Sequence, residues 1–484
     1  MATQLKTTPS SSAISPLVLC ADGGGSKVCV VIRSSDGLEV RGTAGPCNVQ
    51  SVGHFPAIQA ILLATYRALS LLPPSHLPPN FTLPSSLSAP SPSTPKLHSH
   101  PLSNLTLPIS PYASRPNSPS PTRASPLPPL STPLFQYAWL ALAGISTLAD
   151  GNGFLPHVMR GLCISEDRVK ITNGGLPVSS PSHIPVQAFK PEHGRRQALA
   201  ARVGIDLFSP DVNLLAAPAF DLPGIEHVVA VVCGTGTVGR TIRVGLAAAE
   251  PSDEMQGKVQ KLPLQDVAVS RGWGYMLCDE GSAFWLGRLA IRSLLYHADR
   301  LSSSPIHSPE PPRLLPLHRD LLAYFATSDP MDLIELVSLT GPFVDGLSIG
   351  EAVAKRNAAV AGAARVVLTW AFPDDAEPPT PPDSPDKESG LDLAGLSRDT
   401  ALRLAKASVA PLIELTMSLL GDQSVVTPEK TVLALGGGLM MSKGYRGLLE
   451  AGLRSEGVSF GEEVVVGDAA GVGARGLARV EFGI

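Results

Sequence analysis

Two blocks of the chain share one pattern, and this repetition limits the folds that the chain can adopt. The first block is LVLCADGGGSKVCVVIRS (17–34) and the second is VVAVVCGTGTVGRTIRV (228–244). In each block an apolar run leads into a glycine turn with small hydroxyl residues, and a run rich in β-branched residues follows. This pattern predicts a β-hairpin and not a strand followed by a helix. Two such hairpins in one chain indicate duplicated domains.

In both blocks the chain after the glycine turn is predicted to be a strand, and this limits how the turns could bind phosphate. A Rossmann fingerprint or a P-loop requires a helix directly after the glycines, because the helix N-terminus holds the phosphate. Here the chain continues as strand, and the pattern G-x-x-x-x-G-K-[ST] does not occur. Phosphate would instead be held by the backbone N–H groups of the turns, with the hydroxyls of Ser26 and Thr235 as further donors. Together the two turns predict domains that clamp a polyphosphate between them.

A third glycine turn follows an apolar run and precedes a helix-like segment, in TVLALGGGLMMSKGYRGLLEAGL (431–453). Bare backbone at the end of a strand could pack against adenine or ribose, which makes Gly437 and Gly438 candidate nucleotide-binding residues. A tight connection between strand and helix is the alternative interpretation.

The stretch RGWGYMLCDEGSAFWLG (271–287) carries the clearest functional signal. A turn formed by Gly272, Trp273 and Gly274 lets the backbone approach a small ligand closely, and an aromatic ring beside bare backbone suits a sugar. Asp279 precedes a predicted helix, where its carboxylate could accept ligand hydroxyls or cap the helix. The stretch predicts a sugar-binding loop, and a glycine-rich turn with an N-capping Asp is the alternative.

Composition argues against several functional classes. The 38 Lys and Arg against 42 acidic residues give a net charge of −4, which provides no electrostatic signal for nucleic acid or an anionic membrane. The six cysteines form no C-x-x-C pair, so neither a zinc site nor an iron–sulfur cluster is indicated. The N-terminus lacks the apolar core of a signal peptide, and no run in the sequence is long enough to span a bilayer. These features predict a cytoplasmic protein with reduced cysteines.

A Pro/Ser-rich segment interrupts the ordered pattern. Residues 73–133 contain 18 prolines and 14 serines, and neither aspartate nor glutamate. Such a composition cannot build a core, so a long disordered insertion is predicted. Shorter loop insertions are predicted at 302–313 and 373–390.

Four motifs occur in one order along the chain: D-G-G-G-S-K (22–27), C-G-T-G-T (233–237), G-W-G…D-E-G-S (272–282) and G-G-G (436–438). This ordered set resembles the sugar kinase/actin/Hsp70 superfamily. Within it the chain is similar to the BadF/BadG/BcrA/BcrD-type ATPase group, and there to the N-acetylglucosamine kinases. The resemblance covers residues 17–72 and 134–484, and the string around the G-W-G turn is its most specific part.

The resemblance implies an α/β protein with two ribonuclease-H-like (actin/hexokinase-type) domains around a hinged cleft. The implied division is a disordered N-terminus (1–16), an N-terminal domain (17–213) that contains the long insertion, and a C-terminal domain (214–484) that contains the two shorter ones. ATP and sugar would meet at the base of the cleft.

The activity implied is ATP-dependent phosphorylation of the 6-hydroxyl of N-acetyl-D-glucosamine, with ATP and Mg²⁺ as cofactors. Another amino sugar, glucosamine or N-acetylmannosamine, is an open alternative. These sugars differ in their acyl group or its position, and the shape of a pocket for that group cannot be read from the sequence. A non-catalytic sugar sensor is a second alternative, against which the carboxylates and both phosphate turns argue. An activator of a radical dehydratase is disfavoured, because those relatives hold an iron–sulfur cluster. No nucleic-acid or membrane partner is expected, and a homodimer is left open.

The resemblance also assigns roles to single residues. Asp22 is the implied metal ligand. For Asp22, Lys27 and Asn48 a purely structural role in a turn or hairpin is the alternative. The implied sugar-binding residues are Asn48, Gly272, Trp273, Gly274 and Asp279. The implied nucleotide-binding residues are Gly24, Gly25, Ser26, Lys27, Gly234, Thr235, Gly236, Gly437 and Gly438.

The implied catalytic base is Asp211, which lies in SPDVNLLAAPAF (209–220) shortly before the second turn. A carboxylate there would orient the attacking hydroxyl and take its proton. The alternative role is an N-cap for a helix predicted over 212–217, and both roles can coexist. Pro210 stands where relatives carry small polar residues, and Asp206 is a rival base five positions away.

Overall fold

Each glycine-turn block forms the predicted hairpin and lies at the centre of its own sheet. The computed structural model describes residues 15–24, 27–84, 126–145, 148–172, 212–244, 264–303, 314–338, 349–375 and 392–484. The strands in these ranges are β1 (Leu17–Gly23), β2 (Val28–Ser34), β3 (Glu39–Ala44), β4 (Phe135–Leu142), β5 (Val169–Thr172), β6 (His227–Cys233), β7 (Thr237–Val244), β8 (Leu264–Arg271), β9 (Thr431–Gly436) and β10 (Glu462–Val466).

The first sheet has the strand order β3-β2-β1-β4-β5. β1 pairs antiparallel with β2, and β2 with β3, whereas β4 and β5 continue the sheet on the other side in parallel. Every residue of β1 except Asp22 is buried, as expected for a strand that is covered on both faces. β1 is therefore the central strand, and its carboxyl end leads into the first glycine turn.

The second sheet repeats this arrangement with the order β8-β7-β6-β9-β10. β6 pairs antiparallel with β7 and in parallel with β9, so it has the place that β1 has in the first sheet. Strand order and direction agree between the two sheets. This confirms the predicted α/β class with two ribonuclease-H-like domains.

Helices cover the outer faces of both sheets. The described helices are α1 (Val49–Val52), α2 (His54–Leu69), α3 (Leu148–Leu162), α4 (Ala283–Ser302), α5 (Pro316–Tyr324), α6 (Asp332–Leu336), α7 (Ile349–Gly362), α8 (Ala364–Ala371), α9 (Leu393–Leu420), α10 (Lys443–Ser455) and α11 (Ala469–Phe482). α2 packs against β2 and β3 of the first sheet, and α9 packs against β6, β7 and β8 of the second. Among the described helices, none combines the length and the apolar character that a bilayer crossing requires.

A further apolar core joins the two domains. It contains side chains from β1 and β6 together with a 3₁₀ segment, Val212–Asp221, and helix α11. The predicted α-helix over 212–217 is thus a 3₁₀ helix, and Pro218 within it has no N–H to donate. The segment packs in the core between the two sheets, and the predicted domain boundary at 213/214 falls inside it.

Helix α11 returns the chain to the first sheet after the second sheet is complete. A Cβ at Gly473 would lie 2.6 Å from a methyl carbon of Leu214 and 2.7 Å from the sulfur of Cys20, so the helix lies very close to both neighbours. An ion pair of 2.5 Å joins Arg41 of β3 to Asp468, which caps α11. The predicted division into 17–213 and 214–484 assigned α11 to the second domain and did not anticipate its contact with the first sheet.

Both ends of the Pro/Ser-rich segment pack onto the first domain. At one end His76 is buried and its Nε2 lies 2.9 Å from Oδ2 of Asp36. At the other end Leu130 is buried, and the hydroxyl of Tyr66 donates to the carbonyl of Pro128 at 2.9 Å. The insertion predicted over 73–133 was therefore too wide at both ends, and 85–125 lies outside the described residues.

Candidate functional site

The second glycine turn, Gly234–Gly236, connects the central strand β6 to β7. The amide of Gly234 donates to the carbonyl of Gly236 at 2.9 Å, which closes the turn. Gly234 and Thr235 are half-buried, so the turn is accessible from outside. Thr237 follows it at the start of β7, and its buried hydroxyl has no hydrogen-bond partner in the part of the chain that the structure describes. The turn therefore presents bare backbone together with a free hydroxyl.

The third glycine turn, Gly437–Gly438, lies directly beside the second. β9 is the parallel neighbour of β6, and their register places Val232 beside Gly436. A Cβ at Gly437 would lie 2.4 Å from the carbonyl oxygen of Cys233 and 2.8 Å from the amide of Gly234. Two of the three predicted nucleotide-binding turns are therefore in contact, at the carboxyl ends of adjacent strands.

The first glycine turn follows β1 in the same way. The amide of Gly24 donates to the carbonyl of Lys27 at 2.9 Å, and Lys27 is exposed. Gly25 and Ser26 lie outside the described residues. The turn has the same place in the first sheet as Gly234–Gly236 has in the second.

Asn48 lies beside the first glycine turn. Its neighbour Cys47 donates a backbone hydrogen bond to Gly24 at 3.0 Å, and Val49 donates one to Ala143, just after β4, at 3.0 Å. Asn48 is fully buried, and its carbonyl accepts from Val52 to begin α1. The structure therefore brings the predicted sugar-binding Asn48 next to the predicted phosphate turn.

Asp22 is half-buried near the carboxyl end of β1, where Cys29 of β2 lies opposite. Burial, and then the negative charge of Asp22, raise the pKa of Cys47 to about 12. A carboxylate therefore stands near the first turn, and the assignment of Asp22 as a metal ligand stays a prediction. Among the described residues there is no group of three or more His, Cys, Asp or Glu that could hold a metal ion, so a metal here would depend on Asp22.

The loop Gly272–Ser282, called here the tryptophan loop, connects β8 to α4. Trp273, Cys278 and Asp279 all have a positive φ, which side chains other than glycine rarely adopt. The indole of Trp273 is 63% exposed, so it is free to stack on a ligand. Ser282 caps α4, because its hydroxyl accepts from Trp285 at 3.1 Å. The alternative interpretation of Asp279 as the helix cap is therefore wrong.

Asp279 instead joins the tryptophan loop to the second glycine turn. Its Oδ1 accepts from the amide of Thr237 at 3.2 Å, and its carboxylate also accepts from the amide of Gly274. The side chain is buried, and this burial raises the pKa of Asp279 to about 7 although both hydrogen bonds favour the ionised form. The sequence identified this residue but predicted a different contact for it.

Backbone bonds reinforce this connection. Gly272 donates to the carbonyl of Thr237 at 3.0 Å, and Ala283 donates to the carbonyl of Gly234 at 2.9 Å. A Cβ at Gly272 would lie 2.5 Å from Oδ1 of Asp279, so only glycine fits there. The predicted sugar loop and the predicted phosphate turn thus form one hydrogen-bonded unit.

Sequence reasoning missed Arg356 of α7, which supports the tryptophan loop. Its guanidinium lies 4.9 Å from the ring centre of Tyr275 in the loop and 5.9 Å from that of Phe284. Its Nε also donates to Oδ1 of Asn357 at 2.8 Å. No local pattern signals this contact, because α7 follows the loop only after three intervening helices.

The predicted base Asp211 and its rival Asp206 both lie outside the described residues. The described chain resumes at Val212, which is buried in the core between the domains. Asn213 follows, and its Oδ1 accepts from the buried Arg240 of β7 at 3.4 Å. The assignment of Asp211 therefore stays a prediction.

No family model matches the sequence, and no curated protein matches it. Two solved structures that are similar to this chain are each described as a "Putative N-acetylglucosamine Kinase". The one from Porphyromonas gingivalis has a TM-score of 0.48 at 13% identity, and the match covers 97% of this chain and 100% of that chain. The one from Chromobacterium violaceum has a TM-score of 0.43 at 14% identity, with 96% of this chain and 99% of that chain covered.

Proposed function

We propose that this chain is an ATP-dependent kinase that phosphorylates the 6-hydroxyl of N-acetyl-D-glucosamine. One observation carries the proposal. The tryptophan loop, with features suited to a sugar, is hydrogen-bonded to a glycine turn with features suited to phosphate. A kinase needs this proximity, because phosphoryl transfer depends mainly on placing the acceptor hydroxyl and the phosphate together.

The nucleotide would be held by backbone at three turns. Gly234, Thr235 and Gly236 offer N–H groups and a hydroxyl to phosphate, and the corresponding first turn spans residues 24–27 with Lys27 as a nearby cation. Gly437 and Gly438 leave bare backbone beside the second turn, where a side chain on Gly437 would collide with Cys233. This fit supports a nucleotide with its adenosine on the third turn and its phosphates on the other two.

The carboxylate of Asp22 fits a magnesium ion, because Mg²⁺ prefers oxygen ligands and is usually held through one or two carboxylates and water. Bound Mg²⁺-ATP would supply the phosphoryl group and neutralise charge on its oxygens. Asp22 stands half-buried at a strand end beside the first turn, the position from which it could contact such an ion.

The sugar would lie between Asn48 and the tryptophan loop. Trp273 offers an exposed ring face, and Gly272 and Gly274 offer backbone on either side of it. The amide of Asn48 can accept from one sugar hydroxyl and donate to another. Asp211 would accept the proton of the 6-hydroxyl as that oxygen attacks.

The test is an assay of ADP formation by the purified full-length chain with Mg²⁺-ATP and a panel of sugars. The panel contains N-acetylglucosamine, glucosamine, N-acetylmannosamine and glucose. We expect ADP to form fastest with N-acetylglucosamine and more slowly with glucose. Faster turnover of another amino sugar would change the proposed substrate, and the proposal that the chain is a sugar kinase would stand. If no sugar increases ADP formation and N-acetylglucosamine still binds, the chain is a sugar sensor and the proposal is wrong.

A further inference from the structure

The contact between the tryptophan loop and the second glycine turn contains one side chain that bonds to both. The carboxylate of Asp279 accepts from Thr237, which follows the turn, and from Gly274, which lies in the loop. The other described bonds at this contact, from Gly272 of the loop to Thr237 and from Ala283 at the start of α4 to Gly234 of the turn, join backbone to backbone. Asp279 is therefore the point at which a substitution can alter this contact.

We propose that Asp279 is a positioning residue through which the tryptophan loop and the second glycine turn are coupled, so that sugar and nucleotide strengthen each other's binding. The proposal rests on the function proposed above. It departs from the role that the sequence predicted, in which Asp279 binds the sugar directly.

The backbone around Asp279 explains why its bonds would carry this coupling. Trp273 and Asp279 hold positive φ values of 68° and 47°, which a chain keeps only where its surroundings determine them. Gly272 has no room for a Cβ, so this part of the loop cannot adjust by small shifts. Loss of the carboxylate bonds would therefore remove the side-chain link between the loop and the start of β7 and leave only the backbone bonds between them.

Burial strengthens the argument. Asp279 is only 6% exposed, so a broken bond would not be replaced readily by water, and a buried polar group without a partner is costly. A sugar that requires the ordered loop would thus also favour the ordered turn. By thermodynamic linkage, a nucleotide that orders the turn must improve sugar binding by the same factor.

The test compares three proteins: the wild type, Asp279→Asn and Glu280→Gln. Asparagine keeps the size of the side chain but replaces one acceptor oxygen with a donor, so it cannot accept at both oxygens. Glu280 is the exposed neighbour of Asp279 and serves as the matched control. For each protein, calorimetry gives the Kd of N-acetylglucosamine with and without a saturating, non-hydrolysable ATP analogue and Mg²⁺.

We expect the analogue to tighten sugar binding of the wild type and of Glu280→Gln by a factor in the usual allosteric range, roughly 5- to 150-fold. In Asp279→Asn this factor should fall to about 1, with the sugar still bound. A factor that is unchanged in Asp279→Asn, or a wild type that binds both ligands without any coupling, would overturn the proposal and leave the kinase intact. A wild type that binds neither ligand would overturn the proposed function instead.

A pH series on the wild type tests the same idea without a folding risk. Because burial raises the pKa of Asp279 to about 7, protonation as the pH falls through that value should turn one carboxyl oxygen into a donor and leave only the other as a full acceptor, and the coupling factor should decrease. The thiol of Cys233 also faces Asp279 but stays neutral because burial raises its pKa, and Arg288 contacts the adjacent Cys278. Asp279→Asn, whose coupling factor should already be about 1, should show no such decrease. A wild-type factor that is constant from pH 5.5 to pH 8 would contradict the proposal.

Discussion

At the residue scale, Gly437 illustrates how a single position can be restricted both by its backbone and by its neighbours. Its φ of 89° and ψ of 164° fall in a region that is essentially open to glycine alone. In addition, a Cβ would lie 2.4 Å from the carbonyl oxygen of Cys233. Gly53 has nearly the same backbone angles, 83° and 166°, but no atom within 4 Å of its hypothetical Cβ. A comparison of Gly53 with Gly437 therefore separates the free-energy cost of the backbone angles from that of the steric collision.

We predict that Gly53→Ala lowers the free energy of unfolding by about 1–3 kcal/mol through its backbone angles alone. Gly437→Ala should lower it further, since Cys233 is part of β6 and cannot move freely, and should also weaken nucleotide binding. Thermal or chemical denaturation gives the two stabilities, and calorimetry gives the nucleotide Kd. Equal losses in the two variants with unchanged nucleotide binding would show that the third turn is not packed as described.

Asp279 shows what residue-level reasoning can and cannot predict. The motif pointed to this position because an acid, a glycine and a hydroxyl residue precede a helix. Its main partner, Thr237, is 42 positions away, so the actual hydrogen bond has no local signal. The burial of Asp279 could not be predicted from the sequence either, because it depends on how the loop folds back over the turn.

At the element scale, the two hairpins followed from local patterns, whereas the two-domain fold was implied by the family resemblance. β1 with β2, and β6 with β7, are neighbours in the sequence as well as in the sheet, so one short window contains the whole pairing. The packing of α11 against β1 joins segments that are more than 400 residues apart, so no short stretch of the sequence contains both partners. Composition likewise predicted the Pro/Ser-rich segment but not that both of its ends would pack against the first domain.

These buried ends lead to a prediction about two deletions. Removing 85–125 with a short Gly/Ser bridge should leave activity and Tm nearly unchanged, because loop-closure cost depends only weakly on loop length. Removing 75–132 should lower the stability by about 1.5–3 kcal/mol or more, since it also removes the buried side chain of Leu130. Melting curves and the sugar assay check both. An equal Tm for the two deletions would mean that the packed ends contribute nothing.

At the scale of the whole molecule, the two sheets present their glycine turns at equivalent positions, and α11 with the 3₁₀ segment Val212–Asp221 fills the space between the sheets. The duplicated hairpins predicted this symmetry. The interdomain core could not be predicted from the same pattern, because apolar residues on a strand show only that a face is covered and not by which element. The segment that leads into this core begins one residue after Asp211.

The most direct test of the central claim is whether the chain transfers phosphate from ATP to the 6-oxygen of the sugar and whether this transfer requires Asp211. Wild type, Asp211→Asn and Asp206→Asn are each incubated with Mg²⁺-ATP and N-acetylglucosamine, and the 6-phosphate is quantified by mass spectrometry and NMR. General-base catalysis contributes roughly 10²–10⁴-fold, so Asp211→Asn should lose at least about 10²-fold in kcat while sugar binding survives. Asp206→Asn should remain close to the wild type. Near-normal kcat in Asp211→Asn, or no sugar 6-phosphate from the wild type, would contradict the account.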